Sequence, residues 1–368
     1  MMNRIIKLII DKDIPFIKGV LEPYAEVAYL DGKDITREIV AGAGAVTETG
    51  AYALIIRTRT KCDEALLSGS RVKAIFSATI GTDHIDTDYC AANGIAVHSA
   101  PGCNAWGVVQ YVMTSLYVLA QTRDIDIEGK VLGIIGAGNV GERLARFAIR
   151  LGFKVMRYDP PKEQLLINTP NIDYHTLDDV LSCADIISVH LPLNSETYAF
   201  CSGQFFEKIK KGAIFINSSR GEVVDDTALL SCCNLLKGLI IDVWRGEPDI
   251  NRELLAAADI ATPHIAGYSL EGKINATTMV VKSFAGYFGI ESLKNFTLAA
   301  TKASEMLSFD YHESRCTNLA KIFTSSYDVF RDDTALRKNP ELFEYLRANY
   351  IYRNEFSDRL VDFVSLYE

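Results

Sequence analysis

Val131-Leu132-Gly133-Ile134-Ile135-Gly136-Ala137-Gly138-Asn139-Val140-Gly141-Glu142-Arg143-Leu144 is the stretch that decides the fold. The short apolar run from Lys130 to Ile135 has the pattern of a strand covered on both faces. It runs directly into Gly136-Ala137-Gly138-Asn139-Val140-Gly141, after which Leu144, Ala145 and Ala148 recur at helical spacing. Strand, glycine loop and helix together open a βαβ unit. The glycines allow a tight turn and let a pyrophosphate reach the free N–H groups of the helix N-terminus, where the dipole favours an anion. G-x-G-x-x-G alone is a weak sign, but here a second strand follows from Phe153 to Tyr158 and ends in Asp159. That carboxylate stands roughly 20 residues past the glycines, where a ribose-binding acid belongs. It would accept from both ribose hydroxyls and repel a 2′-phosphate, and Pro160-Pro161 stand where an NADP site would want Arg. The expected cofactor is therefore NAD. The bland alternative is that Asp159 only terminates a strand.

Working outward, the first hundred residues carry a βα pattern of their own, with apolar runs at Ile5–Ile10, Ala53–Arg57, Val72–Thr79 and Ile95–His98. The pattern breaks at Ser99-Ala100-Pro101-Gly102-Cys103-Asn104, and helical spacing from Ala105 to Gln121 then leads into the glycine-loop strand. Further strands are expected at Ile186–His190, Ala213–Asn217, Leu239–Val243 and Ile260–Thr262, followed by a helix from Ser269. The organisation read from this is a first domain of residues 1–100 plus 268–295, a doubly wound parallel cofactor domain of residues 101–267, and a small C-terminal α+β domain of residues 296–368.

At 368 residues the chain exceeds one ordinary core, and 48% hydrophobic residues suffice to bury several sheets. No window reaches the eighteen or so apolar residues of a membrane span. The N-terminal run meets Asp11 and Lys12 at once, so it reads as a strand rather than a signal peptide, and a cytoplasmic location is expected. The eight cysteines are scattered without metal-ligand spacing, which fits reduced thiols; neither a metal nor disulfides are expected. A net charge of −9 argues against a nucleic-acid or anionic-membrane surface.

Three polar residues end apolar runs beyond the glycine loop: Arg220 in INSSRGEVVDD (Ile216–Asp226), Glu247 in IDVWRGEPD (Ile241–Asp249) and His264 in ATPHIAGYSLEGK (Ala261–Lys273). Strand ends are where an open α/β sheet does chemistry. Oxidising a secondary alcohol needs a base for the hydroxyl proton, and a histidine can take and return a proton near neutral pH. His264 is that base, Glu247 the carboxylate that fixes its tautomer and favours the imidazolium, and Arg220 the planar fork for a substrate carboxylate. Singly, each could equally be a solvated strand edge, an ion pair, a helix cap or a satisfied core residue. His84, His98, His175, His190 and His312 have no comparable context, and Trp106 and Trp244 read as core aromatics.

GAGNVGERL, NSSRGEVVD, DVWRGEP and PHIAGY resemble the D-isomer-specific 2-hydroxyacid dehydrogenases over about residues 50 to 270. GTDHID (Gly81–Asp86), APGCNA (Ala100–Ala105), HIAGYSLEGK (His264–Lys273) and the tail YDVFRDD (Tyr327–Asp333) with Leu336-Arg337-Lys338 resemble a narrower branch whose substrate is a phosphorylated hydroxy acid. The resemblance implies a Rossmann cofactor domain, a flavodoxin-like substrate domain and a C-terminal dimerisation domain. It places NAD on Gly136, Gly138, Asn139, Val140, Gly141, Asp159, Ser218, Ser219 and Arg220, with Asp242 and Gly267 toward the nicotinamide. Relatives often carry Thr where this chain has Leu191, so a cofactor contact there is limited to backbone or apolar surface. Thr58, Thr79, Gly81 and Tyr268 would line the substrate site. Gln110 stands where broader relatives often have Glu, on a helix expected to be structural.

A substrate with two anionic groups needs more than Arg220, because burying the second anion beside one cation leaves desolvation uncompensated. Arg57, just before Thr58, is the first choice for the phosphate; among the tail cations Arg337, Lys338, Arg347 and Arg353, a solvated helix face is the default for each, although Arg347 or Arg353 could reach a neighbouring subunit's site. Apolar tail residues such as Leu307, Phe309, Leu319, Ile322, Phe323, Tyr327, Phe343, Leu346, Tyr350 and Phe356 are too few for a core of their own and are expected to be buried in a homodimer. The competing readings are a dehydrogenase for glycerate, phosphoglycerate, lactate or another 2-hydroxy acid, and a non-enzymatic NAD-sensing protein that keeps the same three residues.

Overall fold

The computed structural model describes residues 6–42, 50–165, 174–299, 310 and 312–356. The chain divides into two units: Met1–Asn104 with Glu271–Thr301, and Ala105–Leu270 with Lys302–Glu368.

In the first unit, β1 (Ile6–Asp11), β2 (Ala25–Leu30), β3 (Ala53–Ile56), β4 (Ala74–Ser77) and β5 (Ala96–His98) form one sheet in the order β2-β1-β3-β4-β5. Every neighbouring pair is parallel. This is the flavodoxin-type order. Successive side chains point to opposite faces, so Leu8, Ile10, Ile55 and Phe76 meet Val280, Val281 and Phe284 of the helix Leu270–Phe288, while Ile9, Leu54, Ile56 and Ile75 fill the other face. The strand absent from the sequence reading is β2. It lies at the sheet edge and is only half buried, so AEVAYL carries no buried run to betray it.

In the second unit, β6 (Val131–Ile135), β7 (Lys154–Tyr158), β8 (Ile186–Val189), β9 (Ile214–Asn217), β10 (Gly238–Ile241) and β11 (Ile260–Ala261) form a parallel sheet in the order β11-β10-β9-β8-β6-β7. The order reverses between β6 and β8, and the glycine loop leaves β6 at that switch point, where open α/β sheets bind ligands. Beyond β7 a single parallel bridge joins Arg157 and Tyr174, all that the described residues show of a further strand.

In the C-terminal segment the described residues form the helices Arg315–Ser326, Val329–Lys338 and Phe343–Ala348, and the Ser269–Arg353 bridge is the strand-like pairing they show. They share cores with the cofactor domain instead of standing apart. Leu319, Ile322, Phe323, Tyr327 and Phe356 pack with Tyr111 and Tyr117 of the helix Ala105–Thr122, and Leu336 and Phe343 join the core on the other face of the second sheet. Burial of each such side chain contributes roughly 1.5–3 kcal/mol before entropy. This covering explains why the helix Ala105–Thr122 is buried on nearly every face. The apolar tail residues named above are thus satisfied within one chain, Leu346 and Tyr350 partly, while Leu307, Phe309 and Ile5 lie outside the described residues. Phe330, Leu342, Tyr345 and Ile351 are the large apolar tail side chains that stay exposed among the described residues.

Candidate active site

The glycine loop has the shape its sequence requires. Gly136 sits at φ +93°, and a Cβ there would lie 2.8 Å from the carbonyl oxygen of His190; one on Gly141 would lie 2.1 Å from the oxygen of Gly136. Only glycine fits either position. Gly138, by contrast, faces open space and stands at the N-cap of the helix Asn139–Arg150 with no side-chain cap, which leaves the first N–H groups of that helix to a bound anion. Asp159 stands beside the loop, its Oδ2 accepting from the Ala137 N–H at 2.8 Å and its Oδ1 from the Lys162 N–H at 3.1 Å. Leu191 lies against the Gly136 turn through its methyl groups. Ser218 Oγ is buried without a hydrogen-bond partner among the described residues, and Ser219 is tied to Asn217. These features fit NAD: a pyrophosphate at Gly138, Asn139, Val140 and Gly141, a ribose at Asp159. Trp106 corrects the sequence reading. It is 37% exposed and lines the groove of Gly138, Asn139, Arg143 and Lys162, and its ring meets Phe147 in a T-shaped contact. Trp244 is buried, as expected, and its Nε1 donates to the Thr262 carbonyl.

The three catalytic candidates belong to this same unit, on loops that follow β9, β10 and β11. His264 Nδ1 and Glu247 Oε2 are 2.8 Å apart, and Glu247 Oε1 accepts the Trp244 N–H at 2.9 Å. Burial pushes the Glu247 carboxyl up, but His264, then Arg347 and the Trp244 N–H, outweigh it and hold the group below its ordinary value. His264 adopts φ +56°, a left-handed conformation that is costly for a side-chain-bearing residue. The turn is held from below: the His264 N–H donates to the Asp242 carbonyl at 2.7 Å, and the Asp242 carboxylate accepts from Ile265 N, Ala266 N and the Thr262 hydroxyl. Asp242 therefore serves the histidine loop, and its burial raises its own pKa. Arg220 is half buried, with Nη1 donating to the Ser219 carbonyl. The glycine after it is obligatory, since a Cβ on Gly221 would lie 1.9 Å from the Trp244 carbonyl carbon. That contact sets the Arg220 loop against the strand end carrying Glu247.

The tail contributes residues the sequence reading had assigned by default to solvent. Arg353 is buried and donates to the carbonyls of Ile265 (3.0 Å), Gly107 (3.1 Å) and Ala266 and to Gln110 Oε1 (3.1 Å), while its guanidinium lies 4.2 Å from the centre of the Tyr327 ring. Gln110 in turn donates to the Asn354 carbonyl, so its place is structural. Arg337 caps the carbonyls of Leu255 and Ala258 and pairs with Asp333. Arg347 donates from Nε to the Tyr268 hydroxyl at 3.1 Å, and its Nη1 lies 3.8 Å from Glu247 Oε2. Lys338 alone of the four is exposed. Charge pattern cannot tell a buried arginine from a solvated one when its acceptors are backbone carbonyls distant in sequence.

Arg57, Thr58, Thr79 and Gly81 lie in the first unit. Thr58 is exposed in the turn after β3, and Thr79 donates to the Gly81 carbonyl at 3.1 Å and meets Ser77 Oγ at 2.6 Å. Arg57, the expected first choice for a phosphate, is already engaged by carboxylates. Its Nε and Nη2 grip the buried Asp11 at 3.0 and 3.2 Å, and Nη2 also reaches Asp13 at 2.9 Å, so two carboxylates already offset its charge.

Residues 111–266 match the family described as D-isomer specific 2-hydroxyacid dehydrogenase, NAD binding domain, and residues 302–364 match a domain of unknown function. An erythronate-4-phosphate dehydrogenase from Bacteroides fragilis is 43% identical over 356 residues, 95% of this chain and 97% of that protein. One from Escherichia coli O127:H6 is 37% identical over 366 residues, 96% of this chain and 93% of its own. Among solved structures, D-lactate dehydrogenase from Aquifex aeolicus, complexed with NAD and lactic acid, superposes with a TM-score of 0.64 at 25% identity, covering 78% of this chain and 97% of that one. The chain belongs to the erythronate-4-phosphate dehydrogenases, a branch of the NAD-dependent D-isomer-specific 2-hydroxyacid dehydrogenases.

Proposed function

We propose that the protein oxidises 4-phospho-D-erythronate at C2 to 3-hydroxy-2-oxo-4-phosphooxybutanoate with NAD, as a step in pyridoxal 5′-phosphate biosynthesis. The observation that carries the chemistry is the 2.8 Å contact between Glu247 and His264 Nδ1. It commits Nδ1 to the carboxylate, so Nε2 is the nitrogen that takes the C2 hydroxyl proton. Glu247 steadies the imidazolium that results, and Arg220 holds the C1 carboxylate and polarises the forming carbonyl. NAD, when bound, supplies the acceptor for the C2 hydride; Gly136, Gly138, Asn139, Val140, Gly141, Asp159, Leu191, Ser218 and Ser219 are the residues that would hold it, with Gly267 toward the nicotinamide. Asp242 contributes there through the loop it supports. Thr58, Thr79, Gly81 and Tyr268 are proposed for the substrate. The names of the relatives supply the substrate, and Asp159 with no arginine after it supports NAD over NADP.

The protein is proposed to be a cytoplasmic homodimer. No described helix is long and apolar enough to cross a membrane, and all eight cysteines are free. Phe330, Leu342, Tyr345 and Ile351 would supply the apolar part of the subunit contact. Turnover measured side by side on 4-phospho-D-erythronate, D-erythronate and D-glycerate, following NADH by absorbance, tests the substrate. The phosphorylated acid should give the highest kcat/KM by at least tenfold, about the weight of one charge-assisted phosphate contact. Equal rates on all three would contradict the assignment.

A further inference from the structure

We infer that Arg347, carried by the C-terminal segment, is a positioning residue of the active site: it holds the Tyr268 hydroxyl and shares Glu247 with His264. The inference rests on the base assignment made above for His264. Three observations carry it. The Arg347 side chain is 20% exposed and points into its own unit, its Nε donating to Tyr268 Oη at 3.1 Å. Nη1 lies 3.8 Å from Glu247 Oε2, the same oxygen that meets His264 Nδ1 at 2.8 Å. The helix Phe343–Ala348 that carries it is anchored by the buried Phe343, and the following chain by Arg353, which grips the carbonyls of Ile265 and Ala266 just after His264. One short stretch of tail therefore touches the histidine loop, its carboxylate partner and the adjacent tyrosine. Glu344 Oε2 also lies 3.8 Å from Nη1, and Glu344 is exposed.

The physical consequence has a sign. Glu247 Oε2 is flanked by an imidazole and a guanidinium that compete for its charge. Among the described residues the buried Asp242 also lies beneath the His264 loop, and it is common to all variants considered. Replacing Arg347 by Gln leaves the carboxylate to His264 alone, which favours the imidazolium. The base is then protonated up to a higher pH, and the acid limb of the kcat/KM profile moves upward.

The test compares unmodified protein with Arg347→Gln and Arg347→Lys. For Arg347→Gln the acid limb should rise by about half a pH unit or more and kcat/KM at neutral pH should fall roughly tenfold, with NAD affinity unchanged. Arg347→Lys keeps the charge but not the planar fork, so its acid limb should stay near that of the unmodified protein while KM rises through the loss of the Tyr268 contact. An Arg347→Gln profile that is unmoved or displaced downward would overturn the inference. So would a shift of the same size in Arg347→Lys, which would also decide the matter if the glutamine variant failed to fold. The ring titration of His264 followed by NMR without substrate, identified by the signal lost in His264→Asn, must show the same upward displacement. That readout needs no turnover, so absence of activity on 4-phospho-D-erythronate would count against the substrate reading alone.

Discussion

Replacing Arg353 by Met keeps much of the side-chain volume and removes the guanidinium. In the folded protein that group is 8% exposed and is the donor for the carbonyls of Gly107, Ile265 and Ala266 and for Gln110 Oε1. Each buried acceptor left without a donor costs about 1–3 kcal/mol, and the contact with the Tyr327 ring is lost as well. With partial relaxation of the loop the total should be about 3–5 kcal/mol, among the large effects that single substitutions produce. For a unit of this size that corresponds to a fall of roughly 10 °C in Tm. Two thermal transitions are to be expected from two units, and the one raised by NAD is the one to follow. Because two of the orphaned carbonyls belong to the loop after His264, residual kcat at a temperature where the variant is folded should also drop. An Arg353→Met protein that melts within 2 °C of the unmodified protein, with unchanged kcat, would refute the reasoning that the tail is built into the cofactor unit.

Two further outcomes follow from the site. Glu247→Gln removes the charge that favours the imidazolium, so the acid limb of kcat/KM should move to lower pH, opposite to Arg347→Gln, with kcat reduced roughly tenfold or more; an unaltered profile would leave Glu247 a structural residue. The Glu247 carboxyl is also held below its ordinary value in the folded protein, so its contribution to stability should be complete above about pH 4.5 and lost as the pH falls further, which acid titration of Glu247→Gln against the unmodified protein checks. Asp159→Ala should raise KM for NAD about tenfold and narrow the preference over NADP, measured as kcat/KM for both cofactors; an unmodified protein that uses the two equally would sink the assignment.

The parts of this molecule legible in its sequence are those whose physics is local. The glycine loop could be read because Gly136 and Gly141 meet backbone that no Cβ could share, and the central strands because burial on both faces leaves unbroken apolar runs. His264 and Glu247 could be named from residue type and strand-end position, and the structure places Nδ1 and Oε2 2.8 Å apart. What the sequence withheld depends on contacts between distant segments. The edge strand β2 lacks a buried run. Arg57 reads as an open cation until Asp11 and Asp13, more than forty residues earlier, are seen closing on it. Arg347 and Arg353 sit in a polar, charged tail that resembles a solvated helix, and only the fold brings their acceptors from residues 107–110 and 247–268. The apolar tail residues had to be buried, yet composition could not say whether a second subunit or the chain's own long helix would cover them.

The central claim is that His264, oriented by Glu247, is the base that takes the hydroxyl proton. The most direct measurement is the single-turnover rate of NADH formation by His264→Ala on 4-phospho-D-erythronate, with NAD affinity measured in parallel. The account predicts a loss on the order of 100-fold or more in the rate, the usual scale for removing a positioned general base, with NAD binding within about twofold of the unmodified protein. A variant that forms NADH at nearly the unmodified rate would contradict it.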